Sequence, residues 1–146
     1  MLIHFWLICG LWVGLGGALF GYFQAKPKIA VGDYVEDEVK RFLLSYALWI
    51  FVPSLLFWGL QLSANADPVD FLQWPTPQKE IALGVLFFVW GSLLIWTWAF
   101  SGAATLSKWL PLIGAWPNVL LQPTTIKTVV LLGVAIGIWS LTESLV

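Results

Sequence analysis

Residues 2–23 read LIHFWLICGLWVGLGGALFGYF and contain no Asp, Glu, Lys or Arg. A transmembrane helix needs about 20 consecutive, predominantly apolar residues to cross the hydrocarbon core of a bilayer. This stretch has that length, and unlike a secretory signal peptide it has no basic residue before its apolar run, which is also too long for one. It therefore predicts a first membrane-spanning helix.

Three further stretches, residues 42–62, 81–100 and 126–145, have the same character. Each is apolar, carries no charge in its middle and is bounded by Pro, Gly, Asn or charged residues. The whole chain is 60% hydrophobic and 10% charged, whereas about 25% of the residues in a soluble domain are charged. The sequence predicts an all-α fold, a single membrane domain over residues 1–146 with four transmembrane helices in a compact bundle.

Basic residues predict the orientation of these spans, because cytoplasmic loops carry an excess of Lys and Arg. In the connection between the second and third spans, the only basic residue is Lys79. We therefore expect the other two connections to be cytoplasmic and both termini to be non-cytoplasmic, and the small size favours a bacterial inner membrane. The basic residues of the other two connections are Lys26, Lys28, Lys40, Arg41 and Lys108, with Lys127 just beyond.

The residues before the second span predict a helix that extends out of the membrane. Asp33 is a favourable N-cap, and Glu36 follows it at the spacing of a capping box. Glu36–Lys40 and Asp37–Arg41 are both i,i+4 pairs with the acidic residue first, which is the favourable order. We expect the second helix to begin near Asp33. These five residues form either a solvated helix end or a contact for a cytosolic partner.

Residues 106–121 are apolar but are interrupted by Pro111, Gly114 and Pro117. Non-helical backbone at membrane depth is tolerated only where protein buries it. We therefore expect this segment to lie at the interface or to re-enter the membrane, and the sequence leaves both open. Tryptophan favours the membrane–water interface. The candidate interfacial anchors are Trp74, Trp109 and Trp116.

Glycines recur at helical spacing in three of the four predicted spans. Their missing side chains allow close helix approach, which matters because lipid provides no hydrophobic drive for helix association. The faces can pack within one chain or between chains, and we expect at least one to contact another subunit. The glycines are Gly10, Gly14, Gly17 and Gly21 in the first span, Gly84 and Gly91 in the third, and Gly133 and Gly137 in the fourth.

Side chains suited to catalysis or cofactor binding are scarce. One His and one Cys cannot supply two histidine ligands for haem or a cluster of thiolates for a metal. No ionisable residue lies in the middle of a predicted span, where pumps and ion-coupled transporters carry them. A net charge of −1 provides no basic field for nucleic acid. We expect no catalytic residue, no metal and no cofactor.

The leading interpretation is a non-catalytic integral membrane subunit or anchor that contacts lipid and assembles with itself or with partner proteins. An oligomeric pore or channel lined by small and hydroxyl residues is the alternative, because hydrophobic constrictions can gate without charged residues. A second alternative is a lipid- or quinone-binding accessory protein that uses the tryptophans and residues 106–121.

Overall fold

The computed structural model describes residues 4–68, 71–114 and 121–143, and over these residues the protein is helical without any strand. A 3-10 turn, Phe71–Gln73, lies between the second and third helices. The helices in chain order are α1 (Phe5–Ala30), α2 (Glu36–Ala64), α3 (Thr76–Ala99), α4 (Gly102–Ile113) and α5 (Pro123–Glu143).

Three of these helices, α1, α2 and α3, are long and apolar enough to cross a membrane. In the most apolar window of each, at most 17% of the residues are buried within the chain. Most of their surface is therefore left for lipid or for another protein. The apolar described part of α5, Pro123–Trp139, is shorter than these three. A fourth crossing over residues 126–145 therefore stays a prediction.

The first three helices extend beyond the predicted spans. The first was expected to end at Phe23, but α1 continues to Ala30, with Pro27 in its last turns. The apolar stretch marks the part of a helix suited to lipid, whereas the helix itself continues through good helix formers such as Lys and Gln. For the same reason α2 and α3 begin before the apolar stretches at residues 42 and 81.

The predicted capping box at Asp33 is wrong, because this residue closes α1. Gly32 adopts a left-handed conformation with φ of +84°, which ends the helix. Its N–H donates to the carbonyl of Ile29 at 3.1 Å, and the N–H of Asp33 donates to the carbonyl of Lys28 at 2.9 Å. These two bonds define a Schellman motif. The next helix begins at Glu36, and no side chain caps it.

The segment at residues 106–121 was expected to be broken, but its first part is helical. Helix α4 includes Pro111 and ends at Ile113. Within a helix, a proline removes one backbone hydrogen bond and its ring crowds the carbonyl four residues earlier, and here the helix ends two residues after the proline. Residues 115–120 lie outside the described part of the chain, so an interfacial or re-entrant position stays a prediction.

The described chain divides into two compact units. The first extends to Leu83 and includes Leu112–Gly114, and its core lies between α1 and α2. The second holds the remaining described residues, and in it Ala103 of α4 packs with Ile126 and Val130 of α5. Partly buried leucines surround this second core: Leu93, Leu94, Leu106 and Leu110.

Candidate functional site

The glycine face of α1 packs against α2 of the same chain. A β-carbon at Gly14 would lie 3.2 Å from the carbonyl oxygen of Ala47 and 3.3 Å from the backbone nitrogen of Phe51. One at Gly10 would lie 2.8 Å from the β-carbon of Ser54. A side chain at Gly10 would therefore collide with that of Ser54, and one at Gly14 would press on the backbone of α2. We call this contact, between Gly10–Gly21 and Leu43–Ser54, the α1–α2 seam.

The seam contains a π-helical stretch, Gly10–Gly16. Wider π-helical turns disturb the regular bonding of an α-helix and can expose a backbone carbonyl. The hydroxyl of Tyr46 donates a 2.9 Å hydrogen bond to the carbonyl of Val13, inside this stretch. Its oxygen would lie 3.0 Å from a β-carbon at Gly17, so the absent side chain makes room for the tyrosine.

Tyr46 is the residue that sequence reasoning missed. It lies within an apolar span, where a phenolic hydroxyl needs a hydrogen-bond partner. That need is the signal that could have singled it out. Its partner is the carbonyl of Val13 in the π-helical stretch, and no local motif in the sequence predicts this stretch.

An aromatic cluster joins the start of α1, the end of α2 and the connection to α3. The ring centroids of Trp6 and Phe57 are 4.9 Å apart, and Phe57 also contacts Phe71 and Trp74 at 6.1 and 6.4 Å. Offset and edge-to-face pairs at such distances are favourable beyond their apolar burial. We call these four residues the aromatic cluster.

Indole N–H groups tie the aromatic cluster to the backbone of the connection. Trp6 donates to the carbonyl of Pro68 at 2.9 Å, and Trp74 donates to the carbonyl of Asp67 at 2.8 Å. Nearby, Trp58 donates to Nδ1 of His4 at 3.2 Å. The polar atoms of the cluster thus hold the connection in place, and they form no acid–base pair.

The three tryptophans predicted as interfacial anchors have different outcomes. Trp74 and Trp109 lie inside the protein, with 3% and 5% of each residue exposed, and their position at a membrane interface stays a prediction. Trp116 lies outside the described residues. In contrast, Trp12 of α1 is 80% exposed and Trp98 of α3 is 52% exposed.

The charged start of α2 is exposed, as a partner-contact surface requires. Nζ of Lys40 lies 2.7 Å from a carboxylate oxygen of Glu36, which also accepts a 3.2 Å hydrogen bond from Tyr22 of α1. The predicted pair of Glu36 and Lys40 is thus confirmed. Asp37 and Arg41 are exposed beside it, and Asp33 is exposed at the end of α1.

The glycines of the later helices differ from those of α1. A β-carbon at Gly133 would lie 3.4 Å from the ring of Trp90, so this position is occupied within the second unit. Gly84 and Gly91 of α3 and Gly137 of α5 have nothing within 4 Å among the described residues. The open glycine face of α3, Gly84 with Gly91, therefore has no described helix of the second unit packed against it.

Three aliphatic hydroxyl groups within the predicted spans donate to carbonyls of their own helices. Ser54 donates to the carbonyl of Ile50, and Thr97 to that of Leu93. Ser92 likewise donates to a carbonyl of α3. Within the described ranges, no group of three or more His, Cys, Asp and Glu residues could hold a metal ion. The polar groups described here stabilise helices and connections.

No known protein family, curated protein or solved structure matches the chain. Its class is therefore defined by its own features: over residues 4–68, 71–114 and 121–143 it is helical, and three of the helices there are long and apolar enough to cross a membrane.

Proposed function

We propose that the protein is a non-catalytic integral membrane subunit or anchor that assembles with itself or with partner proteins. The observation that carries this proposal is the open glycine face of α3. Gly84 and Gly91 lie seven residues apart, on one side of the helix, and nothing in the described chain fills the space above them. Small residues on a membrane helix permit close approach of another helix.

The contrast with α1 supports an intermolecular role for this face. The α1 glycines receive α2, so this chain does use small residues for helix contacts. In α3, only 11% of the most apolar window is buried, and Phe88 is 72% exposed. Phe88 lies on the same side of α3 as the two glycines, four residues after Gly84 and three before Gly91, so a partner helix would pack against its ring as well as over the glycines.

The exposed start of α2 provides a second surface for an anchor. Glu36 and Lys40 pair with each other, while Asp37 and Arg41 remain accessible at the surface. We place this end of the helix in the cytoplasm of a bacterial cell, with both termini on the opposite side of the inner membrane. Its mixed charges suit contact with a soluble partner, whereas a uniformly basic surface would favour anionic lipid.

The bonded hydroxyls favour a subunit over a pore. Because Ser54, Ser92 and Thr97 each donate to a carbonyl of their own helix, their presence in the spans needs no water-filled lumen. A pore would have to be lined by backbone or by the remaining apolar surface. Ion conductance in liposomes distinguishes the two proposals directly.

The test is the composition and mass of the particle extracted from its native membrane in mild detergent. A second protein at fixed stoichiometry, or a homo-oligomer without conductance, supports the proposal, whereas a monomer contradicts it. Gly91→Leu should then reduce assembly. Gly59→Leu is the matched control, because Gly59 also has nothing within 4 Å but belongs to no paired glycine face. Equal loss in both variants would argue against a specific α3 contact.

A further inference from the structure

An open apolar groove of about 380 Å³ runs between α3 and α5 in the second unit. Its walls are exposed: 58% of Ile95 and 46% of Leu131 are accessible. Such a groove on an apolar helix suits a hydrocarbon chain better than a polar ligand. The lining residues are Leu94, Ile95, Trp98 and Ala99 of α3 and Leu131 of α5.

A lysine stands at one end of this groove. Lys127 precedes Leu131 by four residues and so lies on the same face of α5, one turn nearer its start. Its Nζ is 5.3 Å from the ring centre of Trp98, close enough for a cation–π contact. The indole thus holds the ammonium at the mouth of the groove.

The charge of Lys127 is available to an external anion. The residues of the first turn of α5 include no Asp or Glu. No described carboxylate forms an ion pair with this lysine. A cation–π contact leaves the hydrogen-bond donors of an ammonium group able to reach a phosphate oxygen as well. The site thus combines an apolar channel with a positive charge at its end.

We propose that this groove binds one anionic phospholipid, with an acyl chain along Leu94 and Leu131 and the phosphate group at Lys127. Lipid tails are as apolar as the groove walls, so the chain alone gives little selectivity. The ammonium group of Lys127 provides the selectivity. A Lys near the membrane surface strengthens the binding of anionic lipid about fivefold. The proposal does not depend on the assembly of the protein.

Native mass spectrometry of the detergent-purified protein tests the proposal. Phosphatidylglycerol and phosphatidylcholine with identical acyl chains are titrated separately, and binding of the first lipid is compared. We expect the wild-type chain to prefer phosphatidylglycerol about fivefold. Lys127→Gln should abolish the preference, and Lys127→Arg should keep it. Leu131→Trp should weaken binding of both lipids, because the indole fills the groove while the charge remains.

Lys108→Gln is the matched control. Lys108 also lies over an indole, that of Trp109, at 4.3 Å, but does not stand at this groove. The preference should survive this substitution, and inorganic phosphate should not displace the lipid because it lacks a chain. Equal binding of both lipids by the wild type, or equal losses in Lys127→Gln and Lys108→Gln, would overturn the proposal. A lower oligomeric state of the Lys127→Gln variant would also overturn the proposal, because it would indicate that a second copy of the chain occupies the groove.

Discussion

The hydroxyl of Tyr46 in α2 donates a hydrogen bond to the carbonyl oxygen of Val13 in α1, across a distance of 2.9 Å. Val13 lies in the π-helical stretch Gly10–Gly16, and Tyr46 lies over Gly17 at its end. In hydrocarbon, a backbone carbonyl has no water to accept a hydrogen bond from, so a carbonyl without a protein donor costs free energy. Tyr46 therefore gives a carbonyl of this irregular turn a hydrogen-bond donor from the neighbouring helix.

We expect Tyr46→Phe to lower the free energy of unfolding by about 1 kcal/mol, the usual net contribution of such a hydrogen bond. The ring is retained, so the loss reports on the hydroxyl alone. The free energy of unfolding is measured by titration with SDS in mixed micelles, with the helical circular dichroism signal as the readout. Tyr22→Phe is the control, since its hydroxyl bonds an exposed carboxylate of Glu36 and should matter little. Equal effects of the two variants would exclude a special role for Val13.

The seam between α1 and α2 gives a second prediction. Gly14→Ala introduces a β-carbon about 3.2 Å from backbone atoms of α2, which cannot rotate away. The helices must then separate, and we expect a loss of about 1 to 3 kcal/mol in the free energy of unfolding. Gly16→Ala is the control, because its β-carbon meets only a carbonyl of α1 at 3.6 Å. If Gly16→Ala destabilises the protein more than Gly14→Ala does, the α1–α2 seam does not include a close contact at Gly14.

The turn between α1 and α2 gives a third prediction. Gly32→Ala places a β-carbon at a φ of +84°, which L residues rarely adopt, and should destabilise the protein by about 1 kcal/mol. Asp33→Ala should have little effect, because Asp33 contributes its backbone N–H to the Schellman motif. The same SDS titration compares them. A larger loss in Asp33→Ala would restore the capping box at the start of α2.

Apolar length was sufficient to predict the helices themselves. Residues 2–23, 42–62 and 81–100 each lie almost entirely within a helix of the structure, because a long apolar stretch is a local property of the chain. The extension of α2 before residue 42 was predicted, but the helix begins at Glu36 and not near Asp33, because two local motifs compete at Gly32 and Asp33. A left-handed glycine closes the preceding helix there, and the aspartate side chain caps neither helix.

Helix partners could not be predicted in the same way. The spacing of Gly10 and Gly14 shows that one face of α1 is small, but spacing does not say which helix meets it. Only the structure places α2 there and leaves the similar face at Gly84 and Gly91 open. Likewise, the preference of tryptophan for the membrane–water interface suggested an interfacial position for Trp74. Which residues surround its ring could not be predicted, and in the structure the contacts within the aromatic cluster bury it.

The connection between α2 and α3 gives the last prediction. It is held by the indole N–H groups of Trp6 and Trp74, which donate to the carbonyls of Pro68 and Asp67. Trp6→Phe and Trp74→Phe retain an aromatic ring but remove the donor, which should cost about 1 kcal/mol each, and at the buried Trp74 the smaller ring adds the cost of a cavity. Limited proteolysis measures the consequence directly, because loosening the connection exposes the backbone after Ala64 to cleavage.

We expect faster cleavage in both of these variants. The double variant should be cleaved faster than either single one, because the two hydrogen bonds restrain neighbouring carbonyls. Trp12→Phe is the matched control: Trp12 is 80% exposed on α1, away from the aromatic cluster, so cleavage should proceed as in the wild type. Unchanged cleavage in Trp6→Phe and Trp74→Phe would mean that ring packing around Phe57 suffices to hold the connection. The indole hydrogen bonds would then be incidental to it.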